Sequence, residues 1–201
     1  MSGTKSDMKP GCLEPAIGLF ALPLIGVHGY TWTLTSALGV FLHVLQERYG
    51  PRDMSFTPLG IEFGAHRPNV WYPGGRRYIA VMLSADAAHQ PERALWQLAH
   101  EAVHLLAPTG GNHALWIEEG LASLFADEVS AEQGLGFRQT DTAYMEAATL
   151  VQRWLSLVPD AVKRTRQADP CFATWTPETI ISACPSTPFE LASQLCQPFS
   201  T

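Results

Sequence analysis

The sequence predicts an α+β fold in which a small antiparallel or mixed sheet precedes a helical core. Three observations carry that prediction: an apolar period near 3.6 over residues 34–50, β-branched and aromatic segments between 53 and 84, and helical periodicity in most of the chain after Ser84. At 201 residues the chain reads as one domain, 1–201, with 1–15 as a flexible tail and 169–201 as a helical C-terminal extension.

Near the start, "AIGLFALPLIGV" at 16–27 is apolar but interrupted by Gly18 and Pro23, so it reads as buried structure early in the fold. It is short of the roughly 20 residues of a membrane span, and it lacks the flanks of a signal peptide. In "LTSALGVFLHVLQERYG" the residues Leu38, Phe41, Leu42, Leu45 and Tyr49 form one helical stripe that Gly50-Pro51 ends, with His43 beside it as a structural histidine. "MSFTPLGIEFG" and "NVWYPGGRRYIAVMLS" read as strands, with Pro73-Gly74-Gly75 as a turn between two antiparallel ones. "RYIAVMLS" alternates most regularly: Ile79, Val81 and Leu83 share one face, and Tyr78, Ala80 and Met82 the other.

After Ser84 helices dominate. "QPERALWQLAHEAVHLLAP" starts with Pro91 in a first-turn position and ends before Pro108. Asn112 is the expected cap of a helix over 113–130, and Thr140 or Asp141 caps another over 141–157. Shorter helices are expected after Thr176-Pro177 and Thr187-Pro188, with Thr187 and Glu190 in a capping-box pattern. The run "KRTR" at 163–166 reads as a solvated helix face.

Composition narrows the function classes. Hydrophobic residues at 46% against 16% charged suit a packed domain, and a net charge of −6 gives no basic footprint for nucleic acid. With no membrane span and no export signal, the reading is a soluble, cytoplasmic protein. Cys12, Cys171, Cys184 and Cys196 form no C-x-x-C pair, so free, mostly buried thiols are expected rather than a zinc ribbon.

The chemistry concentrates in "HEAVHLLAPTGGNHALWIEEG", residues 100–120. His100 and His104 are four residues apart in the strongest helix, about 40° apart around its axis, so both imidazoles leave one face. Two imidazoles so spaced can hold Zn²⁺, and Glu101 flanks them closely enough to take a proton from water. Leu98, Ala99, Ala102, Val103 and Leu106 would clamp this helix in the core. Fourteen residues separate His104 from Glu119, and a tight connection through "PTGGN" brings the returning helix level with the histidines. Helix phase leaves both Glu118 and Glu119 open as the third ligand, inclining to Glu119, since Gly120 beside it lets the two helices approach closely. A metzincin pattern is excluded because residue 110 is Gly where it needs His. His113 stands as a candidate ligand, substrate contact or helix-start packing residue.

H-E-x-x-H followed by "WIEEGLAS" resembles the gluzincin metallopeptidases, the clan of aminopeptidase N-like and thermolysin-like enzymes. Trp116, Glu119, Gly120 and Ala122 match a W-x-x-E-G-x-A segment of the aminopeptidase N branch, over a matched core of roughly residues 77–126. The resemblance implies a zincin-type core with an active-site helix and a glutamate helix. It implies zinc held by His100, His104 and Glu119, Glu101 as general base, and a peptide or protein substrate. Glu118 is then a neighbour at the rim. It also implies that "RYIAVMLS" is a shelf pairing with extended peptide at a sheet edge, unless it is an internal strand. The chain departs from the pattern seven residues after Glu119, where Ala126 replaces an acid that Asp127 adjoins.

Such a hydrolase needs a donor for the oxyanion, taken in the family from a downstream histidine or tyrosine. No histidine follows His113, and Tyr144 is the one tyrosine there, so Tyr144 is the candidate, ahead of Arg138 and Arg153. The expectation is therefore a zinc metallopeptidase. Its rivals are a zinc-stabilised binding or regulatory domain without turnover, and a helical protein with a chance motif. The loop at 64–76 and the segment from 169 onward are the expected covers of a cleft.

Overall fold

A computed structural model describes residues 33–65, 67–110 and 114–200. The stretch 16–27, the expected tail at 1–15, Cys12, Asn112 and His113 lie outside the described residues. Among the described residues seven α-helices and a three-stranded sheet make an α+β fold. Helix α1 (Leu34–Tyr49) begins at Thr33, whose hydroxyl accepts from the Ser36 amide. It ends at Gly50, which adopts the positive φ of 94° that a side chain would oppose. Of its apolar stripe Leu38, Phe41, Leu45 and Tyr49 are buried and Leu42 is half-buried, whereas His43 is exposed beside Glu47.

Strands β1 (Thr57–Ala65), β2 (Asn69–Trp71) and β3 (Tyr78–Ser84) form a mixed sheet in the order β1-β3-β2. β3 pairs parallel with β1 and antiparallel with β2, across the turn containing Gly74 at φ 69°. Ile79, Val81 and Leu83 are buried, as their alternation predicts. β3 is thus internal, and the implied peptide shelf on it is corrected. Both of its hydrogen-bonding edges are occupied by neighbouring strands, leaving β2 at the sheet edge.

Helix α2 (Pro91–His104) carries Pro91 at its start and lies against β3. A local lock fixes the two: Gln97 Oε1 accepts from the Ser84 amide (3.1 Å), and Gln97 Nε2 donates to Ser84 Oγ (2.8 Å). Leu98, Ala99, Ala102, Val103 and Leu106 are all fully buried, which holds the helix in the core. Helix α3 (Trp116–Glu132) begins three residues later than expected, with Leu115 rather than Asn112 preceding it. Helix α4 (Thr142–Leu157) takes Asp141 as its cap, the carboxylate accepting from the Ala143 amide at 3.0 Å.

Helix α5 (Ala161–Ala168) precedes the expected extension, which contains α6 (Pro177–Ala183) and α7 (Phe189–Leu195). Thr176 and Thr179 make a capping box for α6. The one expected from Thr187 and Glu190 does not form, because Thr187 Oγ1 is buried and accepts from Trp154 Nε1 at 2.9 Å. Cys171, Cys184 and Cys196 are free, and Cys184 is buried.

The "KRTR" run is not uniformly solvated. Arg166 is only 5% exposed and donates to the carbonyls of Tyr49, Gly50, Pro51, Leu106 and Pro170, at 2.9–3.3 Å. These oxygens include the trailing ends of α1 and α2, where unpaired helical carbonyls concentrate negative charge. Burial draws the guanidinium down to about 10, which leaves it charged at neutral pH. Among the described residues no helix is long and apolar enough to cross a membrane.

Gly120 sets the spacing of α3 and α4. A Cβ there would lie 2.3 Å from the Ala147 carbonyl oxygen and 2.7 Å from Val151 Cγ2. The close approach is therefore to α4, not to the histidine-bearing α2. Gly120→Ala should lower stability by about 1–3 kcal/mol or more through overpacking, read as a reduced urea midpoint.

Candidate metal centre

Helices α2 and α3 run antiparallel, and polar contacts step along their seam. Trp96 Nε1 donates to Asp127 Oδ1 (2.8 Å), His100 Nε2 meets Glu119 Oε2 (3.1 Å), and His104 Nδ1 meets Glu118 Oε1 (2.8 Å). The α2 residues stand one turn apart, while their partners on α3 step back unevenly, by eight residues from Asp127 to Glu119 and by one from Glu119 to Glu118. His100, His104 and Glu119 each offer a ligand atom, and these atoms all lie within 4.8 Å of one another. The group could hold a metal ion. Glu119 meets both Nε2 nitrogens, Oε1 being 3.7 Å from that of His104.

Glu118 is corrected from a rim residue to a buried one, 4% exposed. Helix phase explains this: Leu121, Ala122 and Phe125 follow it at three, four and seven residues, so it shares their inward face. That signal is present in the sequence. The two adjacent glutamates do diverge, and they take different nitrogens of one imidazole. Glu118 occupies Nδ1 of His104 and leaves Nε2 aimed at Glu119. A carboxylate behind a ligating histidine fixes its tautomer and ring orientation.

His100 is held by rings rather than by a carboxylate behind it. Trp96 stacks on it, with centroids 5.4 Å apart and planes 26° apart, and Tyr144 meets it edge-on at 5.7 Å. Its Nδ1 is buried without a hydrogen-bond partner. Asp127 accepts from Trp96 Nε1, and no hydrogen bond joins it to a histidine among those described.

Electrostatics bind the cluster together. Burial opposes charge on His104, but Glu119 and then Glu118 outweigh it and push the imidazole up to about 10. Burial likewise acts against ionised Glu119, yet the charge of His104 and the bond from His100 hold its carboxyl below the ordinary range. Glu101 is 4% exposed, and burial raises its carboxyl above the ordinary value, with His104 and His100 opposing that rise.

A cavity of about 480 Å³ opens on the group. His100, Glu101, His104, Glu118, Glu119 and Tyr144 all line it, so the expected site residues converge on one space. Both expected covers contribute: Arg67 to Val70 and Tyr72 from the loop and β2, and Phe199 from the C-terminal segment. Arg138 and Arg153 do not line it, and His113 lies outside the described residues. Phe199 has no local signal, because 54 residues of chain separate it from Tyr144. Comparison with protein-family models, curated proteins and solved structures finds no match to the chain.

If the group takes up added Zn²⁺, Glu118→Ala should weaken that binding about 10–100-fold, the range for losing the group behind a ligating histidine. Glu118→Gln, which can still accept from Nδ1, should lose less. Competition with a chromophoric chelator measures both.

Proposed function

We propose that this chain is a zinc-dependent hydrolase that cleaves peptide bonds, built on a zincin-type core with α2 as active-site helix and α3 as glutamate helix. The observation that carries the proposal is the meeting of His100 Nε2, His104 Nε2 and the Glu119 carboxylate beside buried Glu101 in one cavity.

The donors fit the ion. Three ligands at about 2.0–2.1 Å from a tetrahedral centre stand roughly 3.3–3.4 Å apart. One donor atom from each residue lies within 4.8 Å of the other two, so the groups draw inward by up to about 1.5 Å to reach that figure around an ion. Two imidazoles and a carboxylate leave a fourth position open, the mark of a catalytic rather than a structural zinc site. Zinc held there supplies Lewis acidity, activating water near neutral pH and polarising a carbonyl.

The remaining chemistry falls to side chains. Glu101, with its raised proton affinity, takes the proton of the attacking water and delivers it to the leaving nitrogen. Tyr144 is pushed up to about 12 by burial and by Glu119, so it keeps its proton and donates to the developing oxyanion. Substrate binding is supported by β2: among the described residues it pairs only with β3, and Asn69 and Val70 border the cavity. An extended peptide can add to such an edge.

Metal analysis of the purified chain should give one zinc per molecule, lost in His100→Ala and His104→Ala. A peptide library should be cleaved, and Glu101→Gln should retain zinc while cleavage falls about 10²–10⁴-fold. Protein without zinc would sink the ligand assignment. Zinc without cleavage would leave a zinc-stabilised binding domain.

A further inference from the structure

The C-terminal residues form part of the cavity wall. The Trp116 amide donates to the Gln197 carbonyl (3.0 Å), and the Phe199 amide donates to the Ala114 carbonyl (2.9 Å). These bonds flank an antiparallel bridge between Leu115 and Pro198. The segment is thereby fixed to the chain entering α3, two to three residues before Glu118 and Glu119. It cannot shift without straining the same turn of helix that carries the carboxylates.

Phe199 is the side chain this segment presents. Its ring lies 5.6 Å from Trp116 and 4.8 Å from Tyr144, and Tyr144 in turn meets the edge of His100 at 5.7 Å. Four rings thus lead from the start of α3 to a metal-binding imidazole. Phe199 remains half-buried despite two aromatic neighbours, and it lines the cavity. It is the bulkiest wholly apolar side chain on that wall. The cavity is also lined by the polar side chains of Arg67 and Asn69 and by the carboxylates of Glu101, Glu118 and Glu119. A pocket lined by both converging polar groups and an apolar ring orients a ligand by matching both.

From this arrangement we propose that Phe199 is a specificity-determining residue, forming with Tyr144 the wall that receives a large apolar side chain next to the group bound at the metal. The favoured substrates are then peptides with an aromatic or bulky aliphatic residue adjoining the cleaved bond. The proposal rests on the reading of the metal centre as a zinc site.

The test uses the full chain loaded with zinc and two chelating probes that differ in side chain, L-phenylalanine hydroxamate and glycine hydroxamate, with affinities measured by calorimetry. The wild-type chain should favour the phenylalanine compound at least tenfold. Phe199→Ala should reduce that ratio below threefold, whereas Phe199→Leu should keep most of it. Taking the ratio removes any general weakening of the site in a variant that packs less well. Equal affinities in the wild type, or a ratio untouched by Phe199→Ala, would overturn the assignment and leave the metal centre standing. If neither probe shows zinc-dependent binding, the metal reading falls and this inference falls with it.

Discussion

The antiparallel contact between α2 and α3 is the constraint on which the rest of the molecule depends. Buried imidazoles and carboxylates are tolerable only where each finds an opposite partner, and this seam supplies one at every turn: Asp127 for Trp96, Glu119 for His100, Glu118 for His104. A one-residue slip of α3 would carry its acids about 100° away and leave several charges buried and unpaired. The polar seam therefore specifies register as well as building the site. Hydrophobic burial on either side, from Leu98 and Val103 to Leu121 and Phe125, supplies cohesion without such directional preference.

Around that seam, other elements act as supports with separate tasks. β3 anchors α2 through the Ser84–Gln97 pair, and Arg166 gathers the carbonyl ends of α1 and α2. α4 approaches α3 at Gly120 and brings Tyr144 to the cavity, while β2 and the 197–199 segment enclose it from two sides. Because Tyr144 lies one turn before Ala147 on α4, the packing distance at Gly120 also governs where the phenol meets His100.

The sequence made the local features legible and the distant ones obscure. Periodicity sufficed for α1, α2, α4 and the alternation of β3, and two histidines one turn apart had a single geometric consequence. The inward set of Glu118 is readable in its spacing to Leu121 and Phe125, yet a pair of adjacent acids invites the reading that one of them is solvated. Phase could not reveal that Gly120 faces α4, since that depends on where a later helix returns. Thr187 illustrates the same limit: its local pattern favours a cap, but a distant indole claims its hydroxyl. Arg166 escapes local reading because a run of cations gives no notice of the helix ends that will converge on one of them. Phe199 reaches the site only through long-range pairing with residues 114–116, which no local pattern encodes.

The short connection between His104 and Glu119 has a consequence for the order of assembly. The three proposed ligand residues fall within a span of 20 residues, 100–119, so bringing them together closes a small loop at low entropic cost. Contacts of such low sequence separation form early in folding. The cavity wall depends on contacts of much greater sequence separation, since Phe199 is brought in by pairing of residues 197–199 with residues 114–116. Under the proposed function, metal capture and substrate recognition would thus be separable properties: the first encoded in a local unit, the second dependent on the pairing of residues 197–199 with residues 114–116.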